Sequence, residues 1–193
     1  MVPAADYGMK RSILNTFSLT KPVVLIGMMG AGKTSVGRAL ADLLSVPFFD
    51  SDAEIEAAAG CSVAQIFADY GEDEFRRLER QVTIRLLGGD VCVLSLGGGA
   101  FVDDETRERV KKTAFSVWIK VDRDILLKRV AHHGHRPLLK GGSPKERLEK
   151  ILAERESVYA EADLTVFCDD RPVLQNAYTI MTAIQDARAF RTE

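Results

Sequence analysis

Short apolar runs alternate along this chain with longer stretches in which apolar residues recur every three or four positions. Five runs, rich in β-branched or aromatic residues, read as strands: Val23 to Ile26, Phe48 to Asp50, Val91 to Ser95, Phe115 to Val121 and Leu164 to Cys168. The stretches between them carry helical periodicity, from Lys33 to Leu44, Asp52 to Ala59, Ser62 to Tyr70, Glu72 to Leu87, Asp104 to Lys111, Arg123 to Ala131, Ser143 to Ala162 and Val173 to Ala187. Strands that alternate with helices, and that are apolar without a polar face, predict an α/β fold in three layers, a parallel sheet with helices on both faces. Ser143-Pro144 followed by Glu146 marks a helix start, because serine caps, proline suits the first helical position and an acid favours the N-terminal dipole. Just before it, residues 132–142 are glycine-bearing and irregular and read as a mobile lid.

Composition narrows the partners. With 193 residues, 46% of them apolar, the chain is long enough for one sizeable core and short enough for one domain, read as 21–193 behind an N-terminal extension at 1–20. A formal charge of −2 offers no broad positive field, which argues against nucleic acid or an anionic membrane as partner and for small molecules. Cys61, Cys92 and Cys168 are too widely spaced for a metal site or a disulfide framework. No apolar run approaches the roughly 20 residues that span a bilayer, and no signal-peptide core is present. The expectation is a cytoplasmic monomer.

The chemistry begins after the first strand. Gly27-Met28-Met29-Gly30-Ala31-Gly32-Lys33-Thr34 fits the phosphate-loop pattern G-x-x-x-x-G-K-[ST] without a mismatch. Glycines let backbone N–H groups close around a phosphate, the next helix turns its positive end to the same oxygens, Lys33 reaches the β- and γ-phosphates, and Thr34 offers a hydroxyl to Mg²⁺. Asp50-Ser51-Asp52 after the second strand and Gly97-Gly98-Gly99 after the third fall at the same carboxyl edge, where open α/β sheets bind ligands. The acids there suit a metal-bound water or an attacking hydroxyl, although capping alone accounts for one of them. Arg155 follows Leu148, Ile151 and Leu152 at seven, four and three positions, so it lies on an apolar stripe and needs an anion or a route past the core. Periodicity alone makes Arg76 and Arg77 a solvated, ion-paired face. Arg136 in the lid suits a transferring phosphoryl group, and Arg171-Pro172 suits a base ring. The neighbouring His132, His133 and His135 lack a carboxylate or cysteine at ligand spacing and do not read as a metal site.

In this order the segments resemble the shikimate kinases, small P-loop kinases of the nucleoside monophosphate kinase fold, from about Lys21 to about Ala187. The resemblance is carried by residues 27–34, by Phe-Phe-Asp-Ser-Asp at 48–52, Glu-Phe-Arg-Arg at 74–77, Leu-Gly-Gly-Gly-Ala at 96–100, Arg-Pro-Leu-Leu at 136–139 and the Arg155 helix. It implies a sheet in order 2-3-1-4-5 and ATP-dependent phosphorylation of the 3-hydroxyl of shikimate, in chorismate and aromatic amino-acid biosynthesis. It further implies that Asp52, Arg76, Gly98, Gly99 and Arg155 bind shikimate, both arginines meeting its carboxylate. Met29, Gly30, Ala31, Gly32, Lys33, Thr34, Arg129, Arg136 and Arg171 then bind ATP, and Lys33, Asp52 and Arg136 are the catalytic group. Mg²⁺ is held by Thr34 and, through water, by Asp50. Two alternatives stand beside this: a gluconate kinase-like enzyme, and a non-catalytic nucleotide-binding regulatory module.

Overall fold

Val23–Ile26 (β1) runs through the centre of the sheet with each residue at most 1% exposed, so the side chains on its two faces are covered alike. In the computed structural model, which describes residues 19–131 and 144–189, β1 pairs in parallel with Val93–Ser95 (β3) on one side and Phe115–Val121 (β4) on the other. Phe48–Asp50 (β2) and Leu164–Cys168 (β5) complete a five-stranded parallel sheet in order β2-β3-β1-β4-β5. The expected α/β architecture and strand order are therefore those of the molecule.

Helices fill each crossover. In chain order they are Lys33–Leu44 (α1), Ser51–Ala59 (α2), Val63–Leu87 (α3), Asp104–Thr113 (α4), Arg123–Ala131 (α5), Pro144–Tyr159 (α6) and Val173–Ala189 (α7). α1 packs on α7 and lies close to the sheet at Gly37, where a Cβ would stand 2.6 Å from the Phe48 ring. Asp50 caps α2 by accepting from the Asp52 amide, and Ser62 with Gln65 forms a capping box at the start of α3.

Several element ends shift by one to three residues from expectation, and three of the differences have a visible cause. β3 begins at Val93 rather than Val91, because ladder pairing to β1 and β2 starts only there; Cys92 still accepts from the Val23 amide at 2.8 Å. The helices expected over 62–70 and 72–87 run on as α3, with a break at Gly71 (φ 81°, ψ 178°) in place of a loop. α6 stops at Tyr159, short of Ala162, because the Glu161 and Ala162 amides turn back to carbonyls three residues earlier and tighten the chain. The lid expected over 132–142, with Arg136 and its histidines, and residues 1–18 of the extension expected over 1–20 lie outside the described residues.

Because all five strands are parallel, the segments after β1, β2, β3 and β5 emerge at one edge. That edge gathers the phosphate loop, Asp50 to Asp52, the glycine run and Asp169 to Arg171.

Candidate active site

The phosphate loop is held open by glycine. Gly27 (φ 141°) brings its Cα so near β4 that a Cβ would sit 2.7 Å from the Ile119 carbonyl, and Gly32 (φ 87°) caps α1 in the left-handed region. This geometry lets the loop curl its amides around an anion at a helix N-terminus, with the Ala31 amide donating to the Met28 carbonyl at 3.1 Å to close the turn. Lys33 is already folded over the loop, donating from Nζ to the carbonyls of Gly27 (2.8 Å) and Met28 (3.0 Å).

Thr34 Oγ1 donates to Asp50 Oδ2 at 2.7 Å, while Asp50 Oδ1 accepts from the Asp52 amide at 3.1 Å. The two residues named as metal-side from sequence thus meet at the mouth of the loop. Hydroxyl and carboxylate oxygens suit a hard cation such as Mg²⁺, which takes few protein ligands and completes its shell with water and phosphate. Among the described residues there is no group of three or more His, Cys, Asp or Glu that would cage a metal by itself.

The glycine run forms the wall next to the loop. Gly97 N–H donates to the fully buried Ser51 hydroxyl at 2.8 Å, which ties the end of β3 to the end of β2. A Cβ on Gly97 would lie 2.8 Å from both Asp52 Oδ1 and Glu79 Oε1, so two carboxylates close on the space a side chain would need there. The Gly98 carbonyl accepts from Arg155 Nη1 (2.7 Å) and from the Tyr159 hydroxyl. A Cβ on Gly99 would stand 2.6 Å from Arg76 Nη1.

Arg76 is placed by acids on its own helix. Its Nη1 donates to Glu79 Oε2 at 2.7 Å and its Nη2 to Glu72 Oε1 at 3.0 Å. Desolvation works against the guanidinium charge, yet Glu79 and Glu72 more than offset it and raise its pKa. Glu79 is 2% exposed; burial pushes its carboxyl above the usual range, Asp52 and Asp103 push the same way, and Arg76 pulls back. Burial likewise raises Tyr159, against the pull of Arg155, so the phenol stays protonated and acts as a donor.

Two cavities open at this edge. The larger, about 480 Å³, runs from the loop residues Met29 to Val36 past Asp50 to Arg129, Asp169, Arg171 and Asn176. The smaller, about 280 Å³, is bounded by Phe67, Phe75, Arg76, Glu79, Gly99 and Arg155. Met29, Asp52, Gly97 and Gly98 line both. At the far end of the larger cavity Arg129 joins Gly30 O (3.2 Å) to Asp169 O (3.0 Å), and Arg171 folds onto the Asp169 carboxylate.

Each described residue that the sequence assigned to the site therefore lies at one of the two cavities. Arg76, which periodicity left on a solvated face, turns into the smaller cavity; Arg77 stays outside, paired to Glu74. Sequence reasoning missed Glu79, Tyr159 and Asn176. A signal existed for the first two: Phe75, Glu79, Val82 and Leu86 follow one helical stripe, as do Leu148, Leu152, Arg155 and Tyr159.

Comparison with known proteins points one way. The family model described as shikimate kinase matches residues 29–185. A shikimate kinase of Cereibacter sphaeroides is 51% identical over 166 residues, covering 86% of this chain and 83% of the relative. Among solved structures, shikimate kinase from Acinetobacter baumannii in complex with shikimate superposes with a TM-score of 0.85 at 34% identity, covering 90% of this chain and 97% of that one. A gluconokinase from Sinorhizobium meliloti covers 92% of this chain and 100% of its own at a TM-score of 0.56, but at 19% identity that likeness is one of fold alone.

Proposed function

The chain belongs to the shikimate kinase family and catalyses ATP-dependent phosphorylation of shikimate; on that premise we propose that the larger cavity takes ATP, the smaller takes shikimate, and transfer to the 3-hydroxyl occurs where they meet. The observation that carries this reading is the shared wall of Met29, Asp52, Gly97 and Gly98, which brings a phosphate cradle and an acceptor cavity within reach of one carboxylate.

Shikimate presents one carboxylate and three ring hydroxyls. Arg76 and Arg155 offer planar donor forks to the carboxylate, and Phe67 and Phe75, tilted at 33° with ring centroids 4.6 Å apart, give the ring an apolar side. Asp52 accepts a hydrogen bond from the attacking hydroxyl and holds it toward the loop. The hydroxyl oxygen bonds to the γ-phosphorus as the bond from that phosphorus to the ADP oxygen breaks, and the hydroxyl proton leaves on the Asp52 side. Because the transition state is loose, placement and charge neutralisation contribute more than proton abstraction. Lys33 exchanges its two loop carbonyls for phosphate oxygens. Met29 to Thr34 supply the cradle, Arg129 and Arg171 the far end, and Arg136, by its place in the family motif, a further cation for the transferring group.

Thr34 and Asp50 would hold Mg²⁺, the aspartate through water; bound there, the ion neutralises phosphate charge. The same reading extends to a cytoplasmic monomer; the small net charge offers no broad field to nucleic acid or an anionic membrane, and among the described residues no helix is long and apolar enough to cross a membrane.

A coupled ADP-release assay with Mg²⁺, run with shikimate, gluconate and no acceptor, tests the proposal. Shikimate-dependent ADP formation is expected. Equal rates in all three arms would overturn it.

A further inference from the structure

We propose that Asn176 is a positioning residue for the nucleotide base: it shapes the turn at the far end of the larger cavity and so sets the base-dependent part of nucleotide affinity. The inference rests on reading that cavity as the ATP site.

Asn176 lies in the first turn of α7, 3% exposed, on the wall of the larger cavity. Its amide nitrogen donates to the carbonyls of Asp169 (3.0 Å) and Arg171 (3.4 Å). The Asp169 carbonyl also receives Arg129 Nη2, and Nη1 of the same guanidinium holds Gly30 O in the phosphate loop. The Pro172 carbonyl is taken by the Gln175 and Asn176 amides. Three carbonyls of the turn over 169–172 are thus fixed, two of them by one side chain.

What singles out asparagine is the other half of its amide. Oδ1 is buried with no hydrogen-bond partner among the described residues. A buried amide oxygen without a partner disfavours the fold, and an apolar side chain of similar size would pack there without that loss. The residue is explained by its two N–H donors, which no other side chain of that size places on a single nitrogen. Phosphates sit at residues 27–34, so the end of the cavity at Asp169, Arg171 and Val173 is left for the base. Asn176 acts there through the turn.

Calorimetry on the full chain with ADP and, separately, inorganic tripolyphosphate, both with Mg²⁺, separates base from phosphate. Asn176→Leu removes both donors; Asn176→Asp keeps the shape and replaces donors by acceptors facing two carbonyls. Both variants are expected to weaken ADP by about tenfold or more, the scale of lost buried hydrogen bonds, and to leave tripolyphosphate within about twofold. In turnover, KM for ATP should rise while kcat at saturating ATP and KM for shikimate hold. Parallel loss of ADP and tripolyphosphate, or unchanged ADP affinity, would overturn the proposal by reducing Asn176 to a packing residue. So would failure of both variants to fold. Failure of the underlying reading looks different, since the unaltered chain would itself then bind no ADP.

Discussion

Replacing Gly99 by alanine should damage the acceptor cavity through one contact. Gly99 has φ −103° and ψ −16°, open to any residue, so backbone strain does not enter. The new Cβ would stand 2.6 Å from Arg76 Nη1, 2.9 Å from Nη2 and 3.1 Å from Cζ, against an ordinary contact of 3.4 Å or more. The guanidinium must therefore withdraw by roughly 0.8 Å. It is not free to do so, being held by Glu79 at 2.7 Å and by Glu72 at 3.0 Å. A shift of that size takes the Glu79 bond to the limit of hydrogen bonding and moves the fork off the bound carboxylate. One charge-assisted hydrogen bond contributes about 1.5–3 kcal/mol, or roughly 10- to 150-fold in affinity. Steady-state kinetics of Gly99→Ala should show KM for shikimate raised by about tenfold or more, with KM for ATP unchanged and kcat at saturating shikimate within about threefold. The same substitution in an Arg76→Ala background should add little, because the residue it displaces is gone. A full penalty in that background, or an equal rise in both KM values, would refute the reasoning.

Arg155→Ala should weaken shikimate far more than ATP, since its Nη1 reaches Gly98 and its fork faces the smaller cavity; equal losses in the two affinities count against that role. Glu79→Gln should alter the pH profile of stability. With the folded pKa raised above 4.5, the stabilisation from protonated Glu79 is full below that value and is lost as pH climbs through the raised one. The melting temperature of Glu79→Gln relative to the parent should therefore rise with pH from 4.5 upward, and a flat difference would show that Arg76 cancels the burial effect. Burial pushes the Cys92 and Cys168 thiols up to about 11, whereas Cys61 is partly exposed. A thiol reagent at pH 8 should label one cysteine in the native protein and three after denaturation, and rapid native labelling of Cys92 would contradict its burial.

The sequence made the donor half of the site legible because a phosphate loop is contiguous: eight successive residues carry its geometry, and Val23 to Ile26 before them is too apolar to be anything but a covered strand. The strand order came from the family resemblance; alternation of strands and helices leaves it open. The acceptor half is assembled from four separate segments, and its most buried acid is written into a run of charges. Between Glu72 and Arg80 acids and arginines repeat at helical spacing, and that repeat hides which turn faces inward. Glu79 is distinguished only by sharing a stripe with Phe75 and Val82, a signal that needs the core to be known first. Asn176 left still less trace, because its role depends on where two main-chain carbonyls of a turn point.

The partition between the two cavities is built mainly of main chain. An inhibitor with one end shaped like each substrate would thread past Gly97 and Gly98 with the Asp52 and Glu79 carboxylates to negotiate. A side chain at Gly97 would stand 2.8 Å from both Asp52 Oδ1 and Glu79 Oε1, whereas a Cβ at Gly98 would make only ordinary contacts of 3.5 Å or more. Escape substitutions at that crossing would also obstruct the route of the phosphoryl group, so drug resistance would have to arise at the outer ends of the cavities, where contacts are made by side chains and can be traded without loss of turnover.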